Sequence, residues 1–256
     1  MGSFLERILE SRGRTAERYR RSIDVYEDAA RNAPPNRDFR RALSGDGMSL
    51  IGEIKRRSPS KGDLSTELDP ADLAAAYERG GASALSVLTE PEFFGGSEQD
   101  LVRARDATQL PALWKDFVID RSQVVAACAT GADAVLLIVR ILGPRLTELV
   151  DEARRWNLCP LVEIFDENDL KLALDANADV VGVNHRDLET FEEDATATAR
   201  LRPLVPDGVL VVAESAISTR ADVEALEGID VDAILVGEAL VRSRDPEAKV
   251  RELLGR

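Results

Sequence analysis

The chain of 256 residues holds one histidine, His185, and two cysteines, Cys128 and Cys159, with no CxxC pair. That poverty excludes a Cys/His zinc site and any Ser-His or Cys-His triad not built on His185. Two lone thiols suit a reducing compartment, and both are expected to be buried and unpaired. No apolar run approaches the roughly 20 residues that cross a bilayer. The first residues, "MGSFLERILESRGR", are charged and amphipathic, unlike a secretory leader. The expected location is cytoplasmic, with no membrane partner. Positive charge is also scarce: 33 Lys and Arg against 47 Asp and Glu leave a net charge of −14, which argues against nucleic acid as a partner. A GxGxxG turn, the mark of a dinucleotide-binding open sheet, follows none of the apolar runs.

What the sequence does contain is a rhythm. Phe4, Leu5, Ile8 and Leu9 fall at helical spacing, a second helix is expected from about Thr15 to Arg31, and Pro34-Pro35 stops it. Eight short apolar runs then follow: "SLIGEI", "ALSVLT", "PALWKDF", "AVLLIV", "PLVEIF", "DVVGVN", "VLVVAES" and "AILVGEAL". They recur at roughly 20 to 35 residues, with helix-period segments such as "DPADLAAAYERGGA" between them. Strand and helix alternating eight times predict a closed (β/α)8 TIM barrel, an α/β fold covering 47–256 behind an N-terminal helical extension, 1–46. No linker divides it, so a single domain is expected.

Chemistry in such barrels sits at the C-terminal ends of the strands. Here those ends carry Glu53 and Lys55, Lys115, Glu163, Asn184, and Glu214 with Ser215. Glu53, Lys115, Glu163, Asn184 and Glu214 lie two positions beyond Ile51, Leu113, Leu161, Gly182 and Val212, Lys55 two beyond Glu53, and strand alternation points these inward. One strand-end carboxylate is more often a helix cap or a solvated group than a catalyst. Five ionisable groups meeting at one mouth are costly to bury unless they pair, and such a cluster can supply both acid and base near neutral pH. Their spacing gives no metal geometry. Ser215-Ala216 and Gly237-Glu238 stand where barrels commonly hold phosphate, and Ser58 in the first loop is a third contact. Taken alone, "VGEAL" reads as an ordinary strand-to-helix turn. "GGSEQDL", near residue 95, is expected to be a mobile lid whose glycines act as hinges.

"IGEIKRRSPSKG" resembles the signature of the indole-3-glycerol phosphate synthase family, and "SVLTEPEFFGGS", "LWKDFVID", "LLIVRIL", "PLVEIFDENDL", "GVNHRDLET", "VVAESAIS" and "ILVGEALV" are similar to its further blocks, in the family's order. The resemblance implies ring closure, decarboxylation and dehydration of 1-(2-carboxyphenylamino)-1-deoxyribulose 5-phosphate to indole-3-glycerol phosphate, in tryptophan biosynthesis. It implies no cofactor and no metal. Lys115 matches the family's general acid, Glu163 its base and Lys55 a second or competing acid. Glu53 and Asn184 match orienting positions, and Glu214 matches a further carboxylate. Phe94 and Phe117 match the walls around the aromatic ring, and Ser58, Ser215, Ala216, Gly237 and Glu238 the phosphate cup.

Three residues depart from the pattern. Ala216 replaces the usual glycine, so its Cβ either crowds the phosphate or resists a positive φ. Trp114 stands where an arginine is common and is expected to face away from the mouth, as is His185. Which lysine acts in which step stays open, as does any role for Lys61. A related phosphosugar isomerase would use a cysteine and an aspartate, and no cysteine sits at a strand C-terminal end; a non-catalytic scaffold would have lost Lys115 or Glu163, and both are present. A relative acting on a substituted anthranilate stays open, as does whether the chain is a monomer or a weak homo-oligomer.

Overall fold

The computed structural model describes residues 3–59, 62–65 and 67–256; Lys61 lies outside them. All eight apolar runs form strands: β1 (Ser49–Ile54), β2 (Ala84–Leu88), β3 (Ala112–Lys115), β4 (Ala134–Ile138), β5 (Cys159–Ile164), β6 (Val180–Asn184), β7 (Leu210–Glu214) and β8 (Ala233–Val236). Neighbours in sequence pair in parallel, and β8 closes on β1 through Ser49–Ala233 to Gly52–Val236. The result is a closed eight-stranded barrel, in place of the open-sheet alternative.

Its helices are α1 (Phe4–Arg21), α2 (Ile23–Arg31), α3 (Phe39–Ala42), α4 (Pro70–Gly80), α5 (Glu98–Asp106), α6 (Arg121–Ala129), α7 (Val139–Leu142), α8 (Leu146–Arg155), α9 (Glu167–Asp175), α10 (Ala197–Leu201), α11 (Arg220–Glu227), α12 (Glu238–Val241) and α13 (Pro246–Leu253). Strand alternation divides the apolar side chains into two cores. Ile51, Leu113, Leu161, Val212 and Leu235 fill the barrel interior. Leu50, Trp114, Val162, Val211 and Ile234 pack outward under the helices. Among the described residues no helix is long and apolar enough to cross a membrane.

The N-terminal segment differs from expectation. One helix runs through to Arg21, and the break falls at Ser22 rather than before Thr15. Gly13 inside α1 costs about 1 kcal/mol relative to alanine, which the Ser3/Glu6 capping box and the buried face of Ile8, Arg12, Ala16 and Tyr19 offset. The segment also touches both ends of the barrel. Arg37 and Asn36 donate to Asp133 and Ala132 at the foot of β4, while Phe39 and Leu43 join the interior core. Phe4 packs at the opposite end against Phe93 and Phe191.

The expected lid is tied down. Ser97 caps α5, so most of "GGSEQDL" is the first turn of a helix, and the Glu90 carboxylate accepts the backbone N–H groups of Glu92, Phe93 and Phe94. Both cysteines are free; Cys128 is buried, whereas Cys159 is only partly so.

Candidate active site

The strand ends open into a cavity of about 500 Å³, within the range typical of small-molecule sites. Glu53, Lys55, Lys115, Glu163 and Asn184 line it together with Ser58, Phe94, Phe117, Ser215, Ala216, Gly237 and Glu238. Glu214 sits beneath, 1% exposed and bonded to Lys115. The thirteen residues singled out in the sequence thus converge on one mouth.

The charges form an alternating chain. Lys55 pairs with Glu53 Oε1, Lys115 Nζ lies 3.3 Å from Glu53 Oε2, and the same ammonium lies 3.1 Å from Glu214 Oε2. Glycine makes this chain possible at two points. A Cβ on Gly237 would overlap Glu53 Oε1, and one on Gly182 would overlap Glu214 Oε1. Gly182 pairs across β6 with Glu163 on one side and Val212 on the other, so the empty position lets Glu214 lean across toward Glu163.

Glu163 is the odd charge. Two lysines meet three carboxylates, and among the described residues Glu163 Oε1 has no hydrogen-bond partner. Burial and then Glu214 push its carboxyl up to about 8, against Lys115 and a side-chain hydrogen bond from Asn184. Glu53 goes the other way: burial would raise it, but Lys55 and Lys115 hold it down to about 2. Burial works to lower the Lys115 ammonium, yet Glu214, Glu53 and Glu163 outweigh it and raise the group. The mouth therefore sets an ionised Glu53 and a Lys115 ammonium beside a carboxyl that titrates near neutrality.

Its walls separate by polarity. The Phe94 and Phe117 rings lie 5.9 Å apart, tilted by 37°. Ser215 (φ +69°) and Ala216 (φ +55°) both take left-handed backbone, so alanine adopts the conformation its Cβ was expected to resist. Ser215 Oγ donates to Asn184 Oδ1 at 2.8 Å. Gly237 precedes α12 without a side-chain cap, and the first N–H groups of any helix lack intrahelical acceptors. Glu238 is neutralised by Arg242 at 3.3 Å. Ser58 belongs to a short hairpin, Arg57–Ser58 against Gly62–Asp63.

Sequence reasoning missed three contributors. Phe4 lines the cavity although α1 carried no functional expectation. Arg186 also lines it, paired with Glu193; continuing the 182, 184 alternation by two would have found it. Arg12, buried on α1, lies 3.0 Å from both Glu90 and Asp116. It joins the loop bearing Phe94 to the strand end bearing Lys115 and Phe117. Burial, opposed by Arg12, leaves Asp116 pushed up to about 6. No strand-end pattern points to a partner 104 residues away.

The family model for indole-3-glycerol phosphate synthase matches residues 5–253. The chain belongs to the indole-3-glycerol phosphate synthase family. It is 50% identical to indole-3-glycerol phosphate synthase 2 of Streptomyces coelicolor over 229 residues, 89% of each chain. With indole-3-glycerol phosphate synthase 1 of the same organism it shares 45% over 255 residues, 98% of this chain and 95% of the relative. The Aquifex aeolicus synthase is 44% identical over 221 residues, 85% and 86% of the two chains. Solved structures alike in fold include a thiamine phosphate pyrophosphorylase (TM-score 0.62; 84% and 95% covered) and a mutant tryptophan synthase alpha-subunit (0.63; 81% and 98%), both from Pyrococcus furiosus. Each is 18% identical, so these two speak for the barrel alone. Within the synthase family, Trp114 faces the outer core rather than the mouth.

Proposed function

We propose that this chain is an indole-3-glycerol phosphate synthase that closes the indole ring of 1-(2-carboxyphenylamino)-1-deoxyribulose 5-phosphate. One observation carries it: Lys115 is held between Glu53 and Glu214 at the mouth, beside an unpaired Glu163 whose proton is exchangeable near neutral pH. The substrate's ring carbon attacks the sugar carbonyl, and Lys115 supplies the proton as the oxygen becomes a hydroxyl. Carboxylate leaves as carbon dioxide, its electron pair restoring the aromatic ring, between the apolar faces of Phe94 and Phe117. Dehydration follows: Glu163 takes a proton from the carbon beside nitrogen, that C–H pair becomes the new double bond, and the hydroxyl departs as water with a proton from Lys55. A carboxylate made more basic by burial suits that abstraction. Ser58, the Ser215-Ala216 turn and the Gly237-Glu238 turn receive the phosphate, with the Glu238 charge answered by Arg242.

Supplying that substrate and following indole fluorescence tests the proposal. Turnover is expected from the wild-type protein and its loss in Lys115→Met. A folded protein without turnover, or a Lys115→Met variant as fast as wild type, overturns it.

A further inference from the structure

The only histidine is not idle surface. His185 follows Asn184 on the opposite face of the strand end and is 4% exposed. Its Nδ1 lies 3.2 Å from the Ser215 carbonyl, and its Nε2 lies 2.6 Å from Oγ1 of Thr198, itself fully buried on α10. A carbonyl can only accept, so Nδ1 carries the proton and Nε2 accepts the threonine hydroxyl. The backbone on either side is fixed as well: the His185 N–H donates to the Glu214 carbonyl at 2.9 Å, and the His185 carbonyl accepts from Asp194 at 2.7 Å.

What this ring holds is a turn that its own residues do not favour. Ser215 and Ala216 are successive non-glycine residues with positive φ, a conformation that L-residues rarely adopt. The turn is gripped from two directions, by His185 on the Ser215 carbonyl and by Asn184 accepting from the Ser215 hydroxyl. We infer that His185, backed by Thr198, is a positioning residue that keeps the Ser215-Ala216 turn left-handed and so keeps the phosphate end of the site formed. This rests on the function proposed above. Alanine at 216 needs the constraint that the imidazole supplies, whereas glycine there would not.

The test couples the two positions. His185→Phe fills the volume but removes the donor, and is expected to raise KM for the deoxyribulose phosphate about tenfold while kcat changes by less than about threefold. His185→Asn restores a donor near the Nδ1 position and is expected to recover most of that loss. In the Ala216→Gly background, where glycine adopts positive φ unaided and only Ser215 still needs support, His185→Phe is expected to raise KM less than in the Ala216 protein. Equal KM in wild type and His185→Phe, a fall confined to kcat, or the same penalty with and without Ala216→Gly overturns the inference. Nitrogen-15 spectra of the histidine ring read the same arrangement without any assay. A protonated Nδ1 beside an unprotonated Nε2 is expected, and the opposite tautomer overturns the inference even if His185→Phe does not fold. Absence of turnover by wild-type protein would instead sink the proposed function and leave the ring spectrum to decide the latch.

Discussion

Glu163→Gln should make the protein more stable while making it nearly inactive, and the pH dependence of that stability is the sharper half. The side chain keeps its shape and loses its charge, and Oε1 has no hydrogen bond to forfeit. In the folded chain burial and Glu214 raise this carboxyl to about 8, whereas an unfolded glutamate titrates at about 4.3. The folded value being the higher one, the wild-type fold pays no penalty below the unfolded value, loses stability as pH rises above it, and levels off beyond the folded value. At roughly 1.4 kcal/mol per pH unit the cost at pH 7 is on the order of 4 kcal/mol, worth roughly 8–16 °C in the unfolding midpoint of a chain this size. Thermal unfolding of both proteins between pH 4 and pH 8 checks it. The glutamine variant should match wild type near pH 4 and exceed it progressively above, while kcat falls by about 10²- to 10⁴-fold. A variant less stable than wild type at pH 7, or a difference independent of pH, would mean that Glu163 is an ionised, paired carboxylate and would refute the reasoning.

The same titration predicts that kcat/KM rises with pH through neutrality, because a base must be ionised in the free enzyme; a flat profile from pH 6 to pH 8.5 counts against Glu163 in that role. Gly182→Ala places a Cβ against Glu214 Oε1, and displacing that carboxylate should cost at least about tenfold in kcat and move the acid limb of the profile to lower pH in a protein that still folds by circular dichroism. Lys115→Met strands the buried Glu214, Glu53 keeping Lys55, and Arg12→Ala strands Glu90 and Asp116. Each should destabilise by about 3–5 kcal/mol, read as a lower urea midpoint, and Lys115→Met should also abolish turnover.

The barrel was legible because its signal is local. "AVLLIV" and "VLVVAES" are apolar runs bounded by helix-period segments, and both became the strands read from them. The mouth was legible for the same reason: a period of two carries Ile51 to Glu53 to Lys55 on one face, and Leu113 to Lys115 on another. Distance in the chain hid the rest. Helical spacing from Ile8 and Ala16 does put Arg12 on the buried face of α1, but it meets Glu90 and Asp116 only after the barrel has closed, and nothing local names those partners. The expectation of a loop through Leu101 failed because glycines were weighted above Ser97, whose hydroxyl starts a helix. Ala216 showed that its residue type did not decide its backbone, since its neighbours impose the left-handed turn.

The seam between β8 and β1 also sets a clock. Ser49 pairs with Ala233, so during synthesis at about 5–20 residues per second the first barrel strand waits on the order of 10 to 40 seconds for its last neighbour. Through that interval one edge of "SLIGEI" is uncovered, and uncovered apolar edges recruit strands from other chains. Glu53 places a charge on that waiting edge, with Lys55 just past its end. The carboxylate that pairs with two lysines in the closed barrel is thus also the one charge within a strand whose edge stays open until the last strand emerges.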